Sequence, residues 1–493
     1  MNQNLFQTWQ QSVPNLLKVL ALMQEKTIIA VGGTPYPRVT PALFLNNYTI
    51  YSVKDPADND LLRNYAQIFS LEEKFPKVAE KIHSTSYLLG NYAFQAFLKS
   101  RHAPYRLFFS QALSAGVVNA LEKLGVEWLG NKPETIEDVY LKGKFRALLK
   151  SLSLPHLPDW KLSKEEFLSK NFASLQEHWR KPAVIQRADF DVNGEQGTFF
   201  IREEKDWTHA HKILSADERY KEIQISPFIE GHSVSMLGCV THLGVLTSTL
   251  QLQLIDVPEA LHGQFPTGVF LGHDWAFRDW TDKTERTAQQ IVESVGEALS
   301  QKGFRGVFGI DFVYDARSDE LFPLECNPRF TAALPMYSLM TTSINKVPPI
   351  EFFHLMAQLG IKENFDFQMI NSGLKERIPF SHISLTPKGV YEMKLNLPAG
   401  VYSLASENLG LRYERPGAFL WDLKNESEFL MADSIPRFGA KVAQDAPTLF
   451  RLIFPRSIAT SSFSISPEIG QLITNLSLLL RKDQKPPEEI DKL

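Results

Sequence analysis

Two acidic side chains in the second half of the chain have the type and spacing needed to hold a metal ion. Asp311 lies in an apolar run, Glu325 follows fourteen residues later, and Asn327 stands two positions further on. Side chains alternate between the two faces of a strand. If residues 316–320 turn the chain, Asp311 comes to lie opposite Glu325 with Asn327 one diagonal step away. The spacing therefore predicts that three oxygen-bearing side chains converge on one patch.

Two carboxylates placed directly across a strand pair repel each other, and a divalent cation would compensate that charge. All-oxygen ligands suit Mg²⁺ or Mn²⁺, with phosphate oxygens completing the shell. Arg329 follows Pro328 and places a fixed positive charge close to such phosphates. Cys326 falls on the face opposite to Glu325, so we interpret it as a core residue, not a nucleophile. The alternative is a solvent-facing hairpin with two unrelated acids, which leaves the shared face unexplained.

The elements that must position these side chains are predicted from periodicity. Apolar residues at helical spacing indicate a helix over 284–302, with Gly303 as its C-terminal cap. Residues 142–150 read as a helix that prolines close. Strands at 182–185 and 199–201 predict a hairpin with a long glycine-containing loop, and three further strand-like runs lie within 223–254.

The first third of the chain predicts a small α/β domain. The β-branched runs 27–31 and 48–53 read as buried strands, and strand–helix alternation continues to about residue 135. Gly32 and Gly33 end the first strand and could cradle a phosphate, but a simple turn is the better interpretation. The G-x-G-x-x-G spacing is missing, which disfavours a dinucleotide-binding oxidoreductase.

After residue 365 the pattern changes to short alternating runs, such as 390–395, 411–413 and 419–421, which predict a β-rich C-terminal module. The predicted fold class is therefore α/β, with three parts: an N-terminal α/β domain at 1–135, a central domain at 136–360 and the β-rich domain at 370–485.

Composition excludes several classes of protein. The chain has 493 residues, with 52 Lys and Arg against 56 Asp and Glu, a net charge of −4. This balance gives no reason to expect nucleic acid or an anionic membrane as a partner. Two cysteines, the absence of a signal-peptide pattern and the absence of a long apolar run predict a soluble cytoplasmic protein.

The segment from Asp311 to Glu325-Cys-Asn-Pro-Arg329 resembles the metal-binding hairpin of ATP-grasp enzymes, such as carbamoyl-phosphate synthetase, biotin carboxylase and D-alanine–D-alanine ligase. The resemblance covers roughly residues 136–340. It implies an α+β ATP-grasp fold preceded by a pre-ATP-grasp domain, and a site for ATP with Mg²⁺ (or Mn²⁺) on Asp311, Glu325 and Asn327.

The resemblance also implies nucleotide contacts elsewhere. Lys142 resembles the lysine that opens the first nucleotide-contacting helix, with Lys144 as its competitor and a solvated helix lysine as the alternative for either. Residues 193–198 resemble the glycine loop that closes over phosphates, and 225–231 resemble the hinge beside the adenine. The residues implied in these contacts are Lys142, Lys144, Gly194, Gly197, Thr198, Phe228 and Ile229.

Three positions depart from the family pattern at the adenosine end. Gln186 stands where a strand-end lysine is expected, and Ser226 and Ser233 stand where the family usually has acids. Glu230 or Arg187 could substitute for the missing charges. The phosphate–metal end of the site is intact, so the departures put nucleotide affinity and identity in doubt more than the chemistry.

The function implied by the resemblance is that of an ADP-forming ligase. A substrate carboxylate would be activated as an acyl phosphate and then attacked by an amine, with Arg329 stabilising the phosphoryl or acyl oxygens. Amino-acid-like carboxylate and amine substrates are favoured, a homodimer is left open, and biotin-dependent carboxylation is disfavoured because no biotin-attachment signature is found. The alternative is a non-catalytic nucleotide-binding protein that uses a diverged ATP-grasp fold for regulation or interaction.

Overall fold

The structure of the protein is a computed structural model. It describes residues 3–179, 182–189, 197–261, 268–344, 347–386, 391–394, 396–404, 411–442 and 449–480. Gly194 and most of the predicted glycine loop lie outside the described residues.

A parallel five-stranded sheet forms the N-terminal part of the molecule, as the strand–helix alternation predicts. Its strands are β1 Thr27–Gly32, β2 Tyr48–Ser52, β3 Gln67–Ser70, β4 Tyr105–Phe109 and β5 Glu127–Leu129, in the order β3-β2-β1-β4-β5. The α-helices of this part are Gln3–Ser12, Leu16–Met23, Asn59–Leu62, Leu71–Lys74, Pro76–Ala79, Thr85–Gly90, Tyr92–Lys99 and Ala115–Leu124, and two 3-10 turns span Tyr36–Arg38 and Thr40–Leu43. Apolar β-branched residues fill β1 because both faces of a parallel sheet are covered.

A small antiparallel sheet follows, with strands β6 Trp160–Ser163, β7 Ala183–Arg187, β8 Thr198–Ile201 and β9 Glu222–Pro227 in the order β6-β9-β7-β8. The predicted hairpin of β7 and β8 is confirmed, with Gln186 paired to Thr198. Helices precede and flank the sheet at Pro133–Tyr140, Lys142–Ser151, Lys164–Leu168, Phe172–His178 and Glu204–Ala216. One face of the sheet packs against the last three of these helices in a separate core that contains Ile185, Trp207 and Ile225.

The candidate metal residues lie in a large antiparallel sheet of eleven strands. Its first seven strands are β10 His232–Val240, β11 Val245–Thr247, β12 Gln251–Ile255, β13 Phe270–Asp274, β14 Gly306–Asp315, β15 Glu320–Asn327 and β16 Ser381–Leu385. The predicted helix is observed at Asp282–Gln301 and packs on one face of this sheet, where it shares a core with Phe308 and Ile310. The other face, which carries Val307 and Leu237, packs against the helix Ile350–Gln358 in a core that it shares with the N-terminal part of the chain.

The strands that follow residue 380 extend this same sheet. They are joined in the order β15-β14-β10-β12-β13-β16-β22-β20-β18-β19, with β11 paired to β10, and the later members are β18 Gly400–Leu404, β19 Leu411–Arg415, β20 Glu428–Ala432 and β22 Phe450–Phe454. The remaining strands form two small pairs, β17 Tyr391–Glu392 with β21 Lys441–Val442 and β23 Ala459–Ser461 with β24 Ser464–Ile465. The predicted boundary between 360 and 370 therefore does not coincide with a break in the sheet, and the three-part division remains a prediction about folding units.

One predicted strand in the C-terminal part is wrong. Residues 419–421 have a strand-like pattern, but Leu420–Asp422 form a 3-10 turn. The Asp422 carboxylate accepts hydrogen bonds from the Ala418 and Phe419 backbone N–H groups at 2.8 and 3.0 Å, and this local capping competes with an extended conformation.

The remaining α-helices are Pro258–Leu261, Ala333–Ile344, Ile350–Gln358, Phe367–Leu374 and Pro467–Leu479. None of the helices that the structure describes has the length and apolar character needed to cross a membrane. Both cysteines are unpaired and buried. The predicted α/β class is confirmed by the parallel N-terminal sheet and the antiparallel sheets that follow it.

Candidate functional site

The hairpin of β14 and β15 places Asp311 directly opposite Glu325, as strand alternation predicts. Asn327 pairs with Gly309, two residues before Asp311 on the same face. A register shift follows Asp311, and the turn occupies residues 316–319. The three predicted metal ligands therefore lie together on the face of the large sheet that packs against the N-terminal part.

Amide groups hold the two carboxylates in place. The Asn327 Nδ2 donates to Asp311 Oδ2 at 2.8 Å and to Glu325 Oε1 at 3.4 Å. The Gln253 Nε2, from β12, donates to Asp311 Oδ1 at 3.0 Å. Sequence reasoning missed Gln253, because its strand reaches Asp311 only through the long-range pairing of β12 with β10 and β10 with β14.

Lys142 supplies the positive charge beside the acidic pair. Its Nζ lies 2.6 Å from Glu325 Oε2, and it is the first residue of the helix Lys142–Ser151. This helix begins against the end of β7, where the Gly143 N–H donates to the Ala188 carbonyl at 3.1 Å. Lys144 instead pairs with Glu137 on an exposed surface. Of the two lysines, the structure brings only Lys142 to the acidic pair.

The charges of the site change the protonation of the two carboxyls in opposite directions. Burial and the Glu325 charge raise the pKa of Asp311 well above its ordinary value. The Lys142 ammonium lowers the pKa of Glu325. The single positive charge of Lys142 can offset only one of the two carboxylates. A bound divalent cation would allow both carboxyls to ionise.

The donor set fits a hard divalent cation that also binds phosphate. Two carboxylates and an amide are oxygen ligands of the kind Mg²⁺ uses, and it commonly completes its shell with phosphate and water. Within the described parts of the chain no three His, Cys, Asp or Glu side chains form a metal-binding group. The protein therefore offers a partial shell that a nucleotide would complete. Burial raises the pKa of Cys326 well above its ordinary value, in agreement with its predicted place in the core.

Arg329 lies at the exposed end of the hairpin. Its Nη1 donates to the Phe330 carbonyl at 3.1 Å, and no described carboxylate pairs with it. The next residue joins the hairpin to the N-terminal part, because the Phe330 N–H donates to the Ser110 carbonyl at 2.9 Å. Arg329 therefore stands where the large sheet meets the end of β4.

Gln186 lies on the face of the small sheet that is turned away from its core. It pairs with Thr198 and with Gln224, and its Nε2 donates to Thr198 Oγ1 at 3.1 Å. Ser226 lies on the same face, opposite Val184. Gln224 is 2% exposed, and within the described part of the chain neither polar atom of its side-chain amide has a hydrogen-bond partner. Sequence reasoning missed Gln224, although a glutamine between two isoleucines is a visible signal.

Both proposed substitutes for the missing charges pair with other side chains. Arg187 is on the core face of β7, where its Nη2 pairs with Asp217 Oδ2 at 2.8 Å and its guanidinium stacks over Tyr220. Glu230 is exposed, and its Oε2 lies 3.5 Å from Arg317 Nη1 beside the hairpin turn. A nucleotide contact by Arg187 or Glu230 therefore stays a prediction, and either side chain would have to leave its present partner to make it.

The predicted hinge joins the two antiparallel sheets, since β9 ends at Pro227 and β10 begins at His232. Phe228 donates its N–H to the Pro182 carbonyl at 2.8 Å, and its ring lies edge-on to Phe200. Ile229 is partly buried beside it. Ser233 is in β10, opposite Val313, and its N–H donates to Ser462 Oγ at 2.8 Å. Gly197 and Thr198, at the start of β8, are the described residues of the predicted glycine loop.

Gly231 is the hinge position with the tightest steric limit. A Cβ at this residue would lie 2.1 Å from the Tyr314 carbonyl oxygen. We expect Gly231→Ala to lower the free energy of unfolding by about 2–3 kcal/mol, because backbone must move to admit the methyl group. Urea denaturation checks this, with Gly116→Ala as the control, since a Cβ there meets only Ser114 Oγ at 3.9 Å. Equal stability of Gly231→Ala and wild type would contradict the expectation.

Comparison with known proteins agrees with this architecture. The family model described as ATP-grasp domain matches residues 165–333, which contain three of the four strands of the small sheet, the hinge and the hairpin. The arginine-specific large chain of carbamoyl phosphate synthase from Halalkalibacterium halodurans is 22% identical over 253 residues, covering 51% of this chain and 22% of that protein. The carbamoyl phosphate synthase large chain from Pyrococcus furiosus is 23% identical over 240 residues, covering 47% and 20%. The match thus spans about a fifth of the length of these relatives.

Solved structures show the same fold over most of the chain. The biotin carboxylase domain of 2-oxoglutarate carboxylase from Hydrogenobacter thermophilus, in complex with MgADP, ADP and bicarbonate, aligns with a TM-score of 0.57 at 14% identity, covering 87% of this chain and 86% of that one. Biotin carboxylase from Campylobacter jejuni also gives 0.57 at 14% identity, covering 88% of each chain. At this identity the likeness concerns the fold. Residues 165–333 match the ATP-grasp domain, and the predicted resemblance to ATP-grasp enzymes is confirmed for this part of the chain.

Proposed function

We propose that the chain is an ADP-forming ligase that uses ATP to activate a substrate carboxylate for attack by an amine. The observation that carries this proposal is the convergence of Asp311, Glu325 and Asn327 beside Lys142. This arrangement supports binding of a metal–triphosphate complex, because the acidic pair would take the cation while Lys142 is free to move to a phosphate. A Mg²⁺ or Mn²⁺ ion held there would neutralise the phosphate oxygens during transfer.

The reaction proposed for the site has two steps. A carboxylate oxygen of the substrate bonds to the γ-phosphorus while the bond to the β-phosphate oxygen breaks, which releases ADP and leaves an acyl phosphate. The amine nitrogen then bonds to the acyl carbon, and the C–O bond to phosphate breaks with loss of phosphate and one proton. Arg329, at the exposed end of the hairpin, orients the carboxylate and stabilises the negative oxygens that develop.

The nucleotide would lie between the small sheet and the hairpin. Phe228 and Ile229 at the hinge support an apolar place for the base, and Lys142 lies at the phosphate end. Gln186, Ser226 and Ser233 make the adenosine end neutral, since the nearby charges of Arg187 and Glu230 are paired elsewhere. We therefore propose that affinity for the nucleotide comes mainly from its phosphates and the metal.

The neutral adenosine end also supports a second candidate, a nucleotide-binding protein without catalysis that serves regulation or interaction. Release of ADP and phosphate from ATP, measured with a panel of small carboxylates and amines, separates the two candidates. Turnover with any pair supports the ligase, whereas tight binding of Mg-ATP without turnover across the panel supports the second candidate.

Calorimetric titration of Mg-ATP tests the metal assignment directly. We expect wild type to bind Mg-ATP and Glu325→Ala to bind at least about tenfold more weakly, because one carboxylate of the partial shell is lost. Glu320→Ala, at the exposed start of β15, is the matched control and should bind like wild type. Repeating the titration with ATP and a chelator should abolish the difference between the variants. Failure of wild type to bind any nucleotide would contradict the proposed function.

A further inference from the structure

The N-terminal sheet has a topological switch point that the proposed function does not use. In the order β3-β2-β1-β4-β5, the chain leaves β1 toward one edge and returns on its other side as β4. The loops at the carboxyl ends of β1 and β4 therefore run in opposite directions and leave a crevice between them. Ligands of open parallel sheets bind in crevices of this kind.

The loop after β1 is open at this crevice. Gly33 is exposed, and a Cβ built on it meets no atom within 4 Å. Among the described residues, the Gly33 and Thr34 backbone N–H groups donate to no partner. Two unpaired amide donors in successive residues make a concave site suited to a negatively charged oxygen.

Arg38 places a positive charge across the switch point. Its Nε donates to the Val31 carbonyl at 3.1 Å and its Nη1 to the Thr34 carbonyl at 2.8 Å, while its Nη2 donates to Ser110 Oγ at 3.0 Å, after β4. The guanidinium thus bridges the ends of both strands. It occupies the space that a side chain at Gly32 would need, since a Cβ there would lie 1.9 Å from Arg38 Cζ.

The charge of Arg38 is not compensated by a carboxylate. No described acidic side chain forms an ion pair with it. Asp433 interacts with the Arg38 charge from a distance, but its own ion pair is with Arg451 at 2.9 Å. Three of the five guanidinium N–H groups are used by neutral oxygens, which leaves two. A partly buried guanidinium without an anionic partner is uncommon in proteins, because charged groups are seldom buried unless they are paired.

The crevice opens next to the proposed reaction centre. Ser110, which accepts the Arg38 hydrogen bond through Oγ, also accepts the Phe330 N–H through its carbonyl at 2.9 Å. Phe330 follows Arg329 directly. A single extended small molecule could therefore reach from Arg329 to the loop after β1.

We propose that the switch-point crevice, formed by Gly33, Thr34, Arg38 and Ser110, binds an anionic group carried by a substrate of the ligase. The group is a carboxylate or a phosphate ester, either of which accepts hydrogen bonds from a guanidinium and backbone amides. The inference rests on the proposed function for what happens at the other end of the substrate. It means that molecules with a second negative group are substrates and that neutral amines and simple monocarboxylates are poor ones.

Gly33→Asp tests the crevice without disturbing its scaffold. The position has room for a side chain and an ordinary backbone conformation, so the variant should fold, and its carboxylate should repel an anion beside Arg38. Gly33→Asn, of equal size and without charge, is the matched control. Thr208→Asp adds the same charge at an exposed position of the helix Glu204–Ala216, which flanks the small sheet, and controls for net charge.

The measurement is calorimetric titration of the full chain with inorganic phosphate and, separately, with acetate. We expect wild type to bind at least one of these anions, Gly33→Asp to bind it at least about tenfold more weakly, and both controls to stay within about threefold of wild type. The tighter of the two anions identifies the phosphate or the carboxylate as the group. Unchanged binding by Gly33→Asp, equal loss in Gly33→Asn, or no binding of either anion by wild type would overturn the inference.

The same preparations separate this inference from the proposed function. Mg-ATP titrated into Gly33→Asp should bind as in wild type, because Gly33 belongs to no part of the proposed nucleotide site. Absence of Mg-ATP binding in wild type together with charge-dependent phosphate binding at Gly33 would refute the ligase and leave the anion site standing. The opposite pattern would refute the anion site alone.

Discussion

Asp311→Asn is expected to remove ATP-dependent activity while leaving the fold as stable as wild type or more stable. Asparagine keeps the shape of the side chain and can still accept the Gln253 hydrogen bond, which is 3.0 Å long in the structure. It cannot take the negative charge that burial and Glu325 disfavour at Asp311, where they raise the pKa well above its ordinary value. Under conditions in which both carboxyls ionise, removal of one of two like charges in a direct cross-strand pair stabilises the sheet by up to about 1 kcal/mol.

The loss of activity follows from the same charge. In the variant only the Glu325 carboxylate remains to hold the proposed cation. A cation that is held more weakly neutralises less of the negative charge of the phosphates. We expect kcat/KM to fall on the order of 10²- to 10³-fold, as when one electrostatic contact to a transition state is removed. The measurement is ADP release with the best substrate pair together with thermal denaturation of the same samples.

A variant that loses activity while its stability is unchanged or higher identifies Asp311 as a functional acid and not a structural one. A structural Asp311 would lose stability on replacement, because the hydrogen bonds from Asn327 and Gln253 would be weakened. Asp319→Asn is a useful contrast, since that carboxylate accepts from Thr281, Thr284 and Tyr314 and lies in the hairpin turn, outside the pairing of β14 with β15. Activity of Asp311→Asn within tenfold of wild type would contradict the assignment of Asp311 to the metal.

The hairpin could be predicted from the sequence because its information is local. Asp311 and Glu325 are separated by one turn, and strand alternation decides which face each occupies. The same holds for the helix that begins at Lys142 and for the pairing of β7 with β8. The choice of Lys142 over Lys144 required the three-dimensional structure, since both lie on one short helix and only the contact with Glu325 separates them.

Contacts between distant segments account for what could not be predicted. Gln253 reaches Asp311 from a strand almost sixty residues away, and Arg38 reaches Ser110 across the parallel sheet. Neither pairing leaves a periodic signal. The ion pair between Arg187 and Asp217 joins segments thirty residues apart and could not be predicted for the same reason.

The continuity of the large sheet was also not visible in the sequence. A change from helical to alternating patterns near residue 365 suggested a separate module, yet β16 pairs with both β13 and β22. Alternation shows that a segment is extended and half-buried, but the same pattern serves a strand in a new sheet and one added to an old sheet.

Glu351 gives the second large effect, on stability and its dependence on pH. This glutamate lies in the helix Ile350–Gln358 and is 1% exposed, with Thr40 as a polar neighbour. It packs against the N-terminal part, where it lies close to Thr40 and Tyr48. Burial raises the pKa of Glu351 from its ordinary value to about 8.

The sign of the pH effect follows from that raised pKa. In the unfolded chain Glu351 ionises near its ordinary value, while in the folded protein it keeps its proton up to about pH 8. Between these values the folded state binds more protons, so its contribution to stability is present at low pH and is lost as the pH rises to about 8. Glu351→Gln, which has no proton to lose, should therefore gain on wild type by about 4 kcal/mol between pH 5 and pH 8.

Urea denaturation of wild type and Glu351→Gln at pH 5, 6, 7 and 8 measures this difference. Glu376→Gln, an exposed position, serves as the control and should follow wild type at every pH. The two unfolding free energies should be closest near pH 5 and diverge steadily up to pH 8, after which the difference stays constant. Parallel curves over the whole range would show that the Glu351 carboxyl ionises in the folded protein as it does in the unfolded chain, and that its buried setting carries no energetic cost.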